Sequence, residues 1–344
     1  MKRTTVHLEA VAHWDHLTWA FWRAARGKRH RREVQRYEQD LFQQLATLQA
    51  DLLAERVPVG EFRRFEIHDP KRRTIHAPVF RERVLHHALM AHLEPAFERY
   101  LVDDTFACRL GKGSWRAVQR AQQHSQRFPW FLKMDVRAYF ASIDHQVLKA
   151  AIRRRIRGAP VLRLVDRIID SHGSIPGSAR GIGLPIGALT SQHFANLYLA
   201  ALDRYLLETA RVGGPRVGGI VRYMDDFVVW GHRREQLKEL AEEIRAFAAS
   251  SLRLEVKESW QLQRSERGLS LCGFRVWPGR IGLTARRRRR YRIARRRWEE
   301  AYLAGRASDR QLQAGYSAAL AMTLGADAHH WRGRELQERP PVDA

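Results

Sequence analysis

The N-terminal third of the chain shows helical spacing of its hydrophobic positions, interrupted by one stretch of alternating residues. Between His13 and Arg56, aromatic and aliphatic residues recur at three- and four-residue steps on both sides of the basic insert GKRHRREVQR. This spacing predicts amphipathic helices. Residues 57–78 instead carry short alternating segments, FRRFEIH and RRTIHAP, among prolines and glycines, which predicts strands and turns. Helical spacing returns over residues 81–100.

The middle of the chain places acidic residues directly beside apolar runs. The run FPWFLKMD predicts a buried strand that ends on Asp135. Residues 148–171 have helical spacing, the Gly/Pro/Ser-rich segment SHGSIPGSARGIGLPIG interrupts the pattern, and TSQHFANLYLAALDRYLLETA predicts one long helix with a Thr/Ser cap. The segment GIVRYMDDFVVWG then predicts two apolar half-strands with two adjacent aspartates at the bend.

The remaining residues continue this mixture of helices and short strands. Residues 234–251 predict an amphipathic helix, SLRLEVKESWQLQ and LSLCGFRVWPGRIGL predict short strands, and the chain from Thr284 onward is predicted to be helical. No repeat of 20 to 50 residues is present, which excludes solenoids and propellers. The pattern therefore predicts an α+β fold.

The charge of the chain points to a polyanionic partner. Its 344 residues include 61 Lys and Arg against 37 Asp and Glu, which gives a formal charge of +24, and only eight of the 61 are lysine. Such an excess is typical of proteins that bind nucleic acid. Hydrophobic residues make up 44%, as in folded globular proteins. We expect no membrane span, no signal peptide and a cytoplasmic location, and the two cysteines form no disulfide framework.

Three aspartates are candidates for a metal site. Asp225 and Asp226 are adjacent between apolar half-strands, where two carboxylates repel each other unless a cation lies against them. Asp135, at its own predicted strand end, supplies the third carboxylate that two-metal phosphoryl transfer requires. Oxygen ligands favour Mg²⁺, with Mn²⁺ as an alternative. The competing interpretations are a solvated Asp-Asp turn and an ordinary strand-end cap.

Five segments in order resemble the palm motifs of reverse transcriptases. FLKMDVRAYFASIDH resembles the first, GLPIGALTSQHFANLYLAALD the second and RYMDDFVVW the Tyr-x-Asp-Asp motif, and LEVKESW and LCGFRVW resemble the two that follow. The resemblance covers roughly residues 55 to 285. It implies a right-hand polymerase fold with an N-terminal helical extension (1–54), fingers (55–133), a palm (134–283, with a fingers segment at about 150–182) and an Arg-rich helical thumb (284–344).

Within that family the chain most resembles the reverse transcriptases of diversity-generating retroelements, which copy a template RNA with errors at adenine. The segments EIHDPKRRTIHAPVFRERVLHHAL, DDTFACRLGKGSWRAV and LPIGALTSQHFANLYL carry this resemblance. Ile186 stands where most reverse transcriptases have Gln, which agrees with the subgroup. Ala188 stands where the subgroup commonly has Asn or Ser, which departs from it.

The resemblance also implies residue roles. Asp135, Asp225 and Asp226 would be the catalytic metal ligands, with the backbone carbonyl of Val136 as a further ligand, and deoxynucleoside triphosphates would be the substrates. Phe140 would exclude a 2′-hydroxyl, although core packing is the alternative for this ring. The implied nucleotide-binding residues are Lys71, Arg73, Phe140, Ile186, Gln192 and Lys257; for Lys257 a plain surface lysine is the alternative.

Nucleic-acid contacts are expected in two places. In the glycine-rich segment and its surroundings the expected residues are Gly183, Pro185, Gly187, Ser191 and Tyr223. In the C-terminal basic run they are Arg286, Arg287, Arg288, Arg289, Arg290, Arg295, Arg296 and Arg297. Like charges at this density repel each other along a helix, and phosphates would relieve that repulsion; a solvated face is the alternative.

The expected activity is RNA-directed DNA synthesis on a template RNA, with the RNA/DNA hybrid held by the arginines. A structured noncoding RNA and a small basic accessory protein are further expected partners, since enzymes of the retroelement group commonly act with them. A defence-associated (antiviral) or other stand-alone bacterial reverse transcriptase would share every motif. A group II intron or retron enzyme is less favoured, because Ile186 replaces their Gln and no maturase or endonuclease extension is recognised. A non-catalytic RNA-binding scaffold is the alternative of another class.

Overall fold

The computed structural model describes residues 3–68, 72–209 and 216–342. Across these ranges helices predominate, and the strands form small sheets. The helices are α1 (Leu8–Val11), α2 (Trp14–Ala25), α3 (Arg32–Gln39), α4 (Leu41–Leu53), α5 (Phe80–Glu98), α6 (Ser114–Arg127), α7 (Tyr139–Ser142), α8 (His145–Arg153), α9 (Ala159–Asp170), α10 (Leu189–Tyr198), α11 (Ala200–Thr209), α12 (Arg234–Leu252), α13 (Ala285–Leu303), α14 (Asp309–Ala321) and α15 (His329–Glu338). No helix in the described ranges is both long and apolar enough to span a membrane.

Within the described residues the strands pair into four sheets, one of which has four strands. The strands are β1 (Thr4–Thr5), β2 (Phe62–His68), β3 (Arg72–Pro78), β4 (Trp130–Asp135), β5 (Ile156–Arg157), β6 (Gly219–Tyr223), β7 (Asp226–Gly231), β8 (Gln261–Arg264), β9 (Leu269–Leu271), β10 (Phe274–Val276) and β11 (Ile281–Leu283). The four-stranded sheet has the order β6-β7-β4-β8, and β11-β10-β9, β2-β3 and the parallel pair β1-β5 form the others. The α+β prediction is therefore confirmed.

Two compact units divide the chain. The first unit consists of Met1–Asp103, Asp135–Tyr205 and Glu242–Glu258, and the second of Asp104–Met134, Leu206–Ala241 and Ser259–Ala344. The division into extension, fingers, palm and thumb follows different boundaries and stays a prediction.

The first unit is built on the long helix α5. Its apolar positions, among them Val84, Leu85 and Leu89, are fully buried, and α2, α3, α4 and α10 pack around it. This confirms the helices predicted before residue 57 and over residues 81–100. The hairpin of β2 and β3 extends from this core in the predicted place, and most β2 side chains are exposed.

The second unit has one continuous core beneath the four-stranded sheet. Phe131 of β4 and Val228 and Trp230 of β7 are fully buried, together with α6 residues and the small sheet β9–β11. The Trp230 indole N–H donates to the Ser125 hydroxyl at 3.1 Å, which satisfies the polar atom of this buried ring. This core supports the strand ends that carry the acidic residues.

Two helical predictions are wrong in their continuity. Residues 148–171 contain α8 and α9 separated by β5, because β5 pairs with β1 and Gly158 then turns the chain at a φ of +123°. A Cβ at Gly158 would lie 2.2 Å from the Val6 carbonyl oxygen, so only glycine fits this approach. The predicted long helix after residue 189 is likewise two helices, which meet at Leu199.

Candidate active site

Each of the three candidate carboxylates lies at, or directly beside, the end of a strand. Asp135 is the last residue of β4, and Asp226 is the first residue of β7, which neighbours β4 in the sheet. Tyr223 and Asp226 are paired across the hairpin, which leaves Met224 and Asp225 as a two-residue turn. The predicted half-strands with aspartates at the bend are therefore present.

The turn holds Met224 in a left-handed conformation. Its φ is +58°, whereas Asp225 is not among the residues with positive φ. Tight hairpin turns of this kind usually place glycine at their first central position. A side chain there costs about 1 kcal/mol, and such strain is concentrated at functional sites.

Asp226 has a lysine as its counter-charge. The ammonium of Lys133, two residues before the end of β4, donates to Asp226 Oδ2 at 2.9 Å and to the Ser270 carbonyl at 2.8 Å. Burial raises the pKa of the nearby Cys272 thiol to about 12, and the negative charge of Asp226 adds to this shift. At neutral pH this cysteine is therefore a protonated, unreactive thiol.

Asp135 has a different lysine as its counter-charge. The Lys257 ammonium donates to Asp135 Oδ2, and the Lys257 backbone N–H donates to the Asp135 carbonyl at 2.9 Å. Val136 forms an isolated antiparallel bridge with Val256. The segment after β4 is thus held by the LEVKESW segment, and Lys257 contacts a carboxylate instead of lying free on the surface.

The chemistry of these residues suits a hard divalent cation. Within the described ranges no three His, Cys, Asp or Glu side chains are gathered into a ready-made metal cluster. Instead, Lys133 places positive charge beside Asp226 and Lys257 places it beside Asp135, as a bound metal cation would do. Carboxylate oxygens match Mg²⁺ better than Zn²⁺.

Residues 181–187, which we call the glycine loop, are held by backbone hydrogen bonds at both ends. Gly183 N–H donates to the Ile143 carbonyl at 2.8 Å, and Leu184 N–H donates to the Phe140 carbonyl at 2.7 Å. At the other end, the His76 N–H of β3 donates to the Ile186 carbonyl at 2.8 Å. A side chain at Gly187 would meet Ile75 and the His76 backbone, which explains the glycine.

A family model named reverse transcriptase (RNA-dependent DNA polymerase) matches residues 68–259, more than half of the chain. The chain belongs to the reverse transcriptase family. All three aspartates, the glycine loop and the β3 hairpin strand lie inside the matched range. The general part of the sequence resemblance is therefore confirmed.

Curated relatives of this reverse transcriptase are distant. Protein YkfC of Escherichia coli K12 is 24% identical over 218 residues, which cover 54% of this chain and 57% of that protein. The group II intron-encoded protein LtrA of Lactococcus lactis is 23% identical over 146 residues, covering 40% of this chain and 23% of LtrA. Thus the chain spans under two thirds of these relatives' lengths. Group II intron proteins, which the motif comparison favoured less, are among the matches, and the retroelement subgroup receives no support from them.

Solved structures confirm the fold class. Apo telomerase of Candida tropicalis superimposes with a TM-score of 0.52 at 11% identity, covering 82% of this chain and 60% of the telomerase chain. A truncated form of the same enzyme gives a TM-score of 0.51 over 66% of this chain and 56% of its own. At such low identity the likeness shows the fold alone, which is the predicted right-hand polymerase fold.

The predicted nucleotide-binding residues of this reverse transcriptase have different surroundings. Arg73 is exposed on β3, and Lys71 lies outside the described residues. The half-buried ring of Phe140 packs edge-on against Tyr139, with 5.8 Å between centroids. Ile186 is half-buried, and Gln192 is exposed near the start of α10. These placements leave part of each described residue open to a ligand.

Ser191 does not fit its predicted role. It is only 2% exposed and lies beside Glu82 and His86, where it lines a small internal cavity. Pro185, in the same lining, is buried as well. The helical phase of α10 turns Ser191 inward, so we propose no direct contact between Ser191 and nucleic acid.

The C-terminal arginine run divides into two faces of α13. Arg295, 6% exposed, donates to Glu299 and to the carbonyls of Arg339 and Pro340. Arg287 donates to the carbonyls of Met322 and Cys272. Both serve the packing of their own unit, so we leave them out of the proposed nucleic-acid surface.

The other face of α13 is exposed and strongly basic. Its residues follow helical spacing, so they lie on one side of the helix. The exposed arginines of this face, which we call the arginine face, are Arg286, Arg289, Arg290, Arg296 and Arg297. Arg288 is half-buried, with its guanidinium 5.6 Å from the Trp331 ring centroid.

Sequence reasoning missed Lys133 as a site residue. A charged residue within an otherwise apolar run, two positions before Asp135, lies on the same face of the strand as that aspartate. This spacing was a usable signal. The placement of Arg287 and Arg295 could similarly have been predicted, because both lie one helical turn from the buried Tyr291.

Proposed function

We propose that this chain is an RNA-directed DNA polymerase that copies a template RNA with deoxynucleoside triphosphates. The observation that carries the proposal is that Asp135 and Asp226 lie at strand ends, with Asp225 in the adjoining turn, and that all three fall inside the range that matches the reverse transcriptase family. A non-catalytic scaffold has no need for carboxylates in this costly arrangement.

Asp135, Asp225 and Asp226 are proposed to hold two Mg²⁺ ions, with Val136 contributing its carbonyl. The ions would activate a 3′-hydroxyl and stabilise the charge of the leaving pyrophosphate. Lys133 and Lys257 neutralise the carboxylates without metal. Lys257 is also proposed to lie on the phosphate side of the nucleotide, as the resemblance implies, together with Arg73 and Lys71.

Primer extension tests the activity. We expect the wild-type chain to extend a DNA or RNA primer on an RNA template with Mg²⁺ or Mn²⁺, and Asp225→Ala/Asp226→Ala to lose extension by at least about a thousandfold, a typical cost of removing essential charge stabilisation. The exposed Asp15→Ala is a matched control that should retain activity. Because some enzymes of this type need partners, the assay includes candidate accessory proteins and structured RNA.

Absence of extension under all these conditions would contradict the polymerase proposal and favour the RNA-binding scaffold. Equal extension by the wild type and the double variant would instead show that these aspartates are not the catalytic ligands.

Low fidelity of the retroelement type is the finer proposal. Ile186 cannot make the polar contacts of glutamine, so it is proposed to hold the nascent base pair less strictly. The backbone of Ile186 is fixed by His76, which means that its substitution changes the side chain without releasing the loop. We expect Ile186→Gln to lower misincorporation opposite template adenine. An Ile186→Leu control keeps the apolar character, and an error rate equal in all three proteins would overturn the fidelity proposal.

The arginine face is proposed to hold the template RNA and the growing hybrid. Its five guanidiniums follow one side of α13, where they match the regular phosphates of a duplex better than a single bound ion. A noncoding RNA and an accessory protein remain proposed partners of the retroelement type, and a defence-associated role is the alternative that genomic neighbours would distinguish.

A further inference from the structure

The beginning of the glycine loop is bonded to a buried histidine. His145 is 1% exposed, and its Nε2 lies 2.8 Å from the Gly183 carbonyl oxygen. Its backbone N–H also donates to the Gly181 carbonyl at 2.9 Å. The ring and the backbone of one residue therefore bond two carbonyls of the loop, those of Gly181 and Gly183.

A carboxylate and a lysine complete this arrangement. Asp170 Oδ1 lies 3.2 Å from His145 Nδ1, and the Lys149 ammonium lies 2.6 Å from both Asp170 oxygens. Both ring nitrogens of His145 therefore face oxygen atoms that accept hydrogen bonds. Asp170 is the last residue of α9, where negative charge is unfavourable to the helix dipole, and the Lys149 ammonium offsets that cost.

We propose that His145, held by Asp170 and Lys149, is a positioning residue that fixes the glycine loop and thereby Ile186. The argument rests on the proposed function, since Ile186 matters only if nucleotide and template meet there. The loop is bonded at its start by His145 and the residues before it, and near its end by His76. Only Leu184 and Pro185 lie between these two bonded positions, so a shift at Gly183 also displaces Ile186.

A second ion pair between the same two helices provides a matched control. Arg153 of α8 bonds to Asp166 of α9, as Lys149 bonds to Asp170. Asp166 makes no contact with His145 or the loop in the described contacts. Asp166→Asn and Asp170→Asn therefore each remove one α8–α9 ion pair, and only Asp170→Asn releases the ring of His145.

Steady-state kinetics test the proposal. We expect Asp170→Asn to raise the KM for the deoxynucleoside triphosphate about fivefold to tenfold, the equivalent of one ordinary hydrogen bond, with kcat changed less than about twofold. His145→Gln keeps an N–H donor for Gly183 but loses Asp170, and we expect the same change. Asp166→Asn should keep the wild-type KM, and Asp170→Glu should restore part of the loss. Equal KM values for Asp170→Asn and Asp166→Asn would overturn the proposal.

Hydrogen exchange provides a readout that needs no polymerase activity. The amides of Gly183 and Leu184 donate to backbone carbonyls, so they should exchange slowly in the wild type. We expect exchange at these amides to be faster by at least about fivefold in Asp170→Asn than in Asp166→Asn. Equal exchange would refute the positioning role even if the wild type showed no primer extension, whereas inactivity of the wild type alone would contradict the proposed function.

Discussion

Gly183 offers a sharp test of how tightly the glycine loop is packed. A Cβ at this position would lie 2.5 Å from His172 Nε2 and 3.3 Å from the Ala141 carbonyl oxygen, and the Gly183 φ is +93°. The backbone conformation alone costs a non-glycine residue about 1 kcal/mol. The contact with the ring adds about 1–3 kcal/mol, as overpacking does elsewhere. We therefore expect Gly183→Ala to lower the free energy of unfolding by about 2–4 kcal/mol.

Gly181 separates these two costs. Its φ is +78°, but no atom lies within 4 Å of the Cβ it would carry, so Gly181→Ala should cost only about 1 kcal/mol. Truncation of the clashing ring, His172→Ala, should reduce the further cost of Gly183→Ala to the same value. Urea unfolding of the four single and double variants at pH 7.5 measures both differences. A Gly183→Ala penalty that is undiminished by His172→Ala would refute the steric explanation.

Two further predictions follow from the charges of the described residues. Replacement of Arg296 and Arg297 by Gln should reduce the slope of log affinity for an RNA/DNA hybrid against log salt concentration by about 2, as measured by fluorescence anisotropy. Replacement of the buried Arg295 by Gln should instead lower the melting temperature, as measured by thermal unfolding. Burial, with nearby cations, lowers the pKa of His87 to about 4, so its contribution to stability is present above pH 6.5 and is lost as the pH falls towards 4. His87→Gln should flatten the fall in unfolding free energy over that window, and an unchanged slope would contradict the assignment.

The sequence predicted the parts of the molecule that depend on local periodicity. The helices before residue 57, the β2–β3 hairpin and the half-strands around Asp225 and Asp226 all follow from hydrophobic spacing. The break between α8 and α9 does not, because it depends on a two-residue strand that pairs with Thr4 and Thr5, some 150 positions away. Such a pairing leaves no mark in the spacing of nearby residues.

The sequence likewise predicted only part of the candidate site. The motifs located the aspartates, but the counter-charges depend on which side chains the fold brings together. Lys257 and Asp135 are 122 residues apart in the chain, and only the pairing of their backbone segments makes them neighbours. Similarly, charge density alone could not separate the arginine face from Arg295, since both belong to the same Arg-rich segment.

The hydrogen bond from the His76 N–H to the Ile186 carbonyl joins the β2–β3 hairpin to the glycine loop through main-chain atoms alone. Alanine substitution leaves both of these atoms in place, so an alanine scan does not test this hydrogen bond. Proline at residue 76, which lacks the N–H group, or an ester in place of that amide, removes the donor itself. This link between the hairpin and the loop is a main-chain hydrogen bond, so breaking it requires a change to the backbone itself.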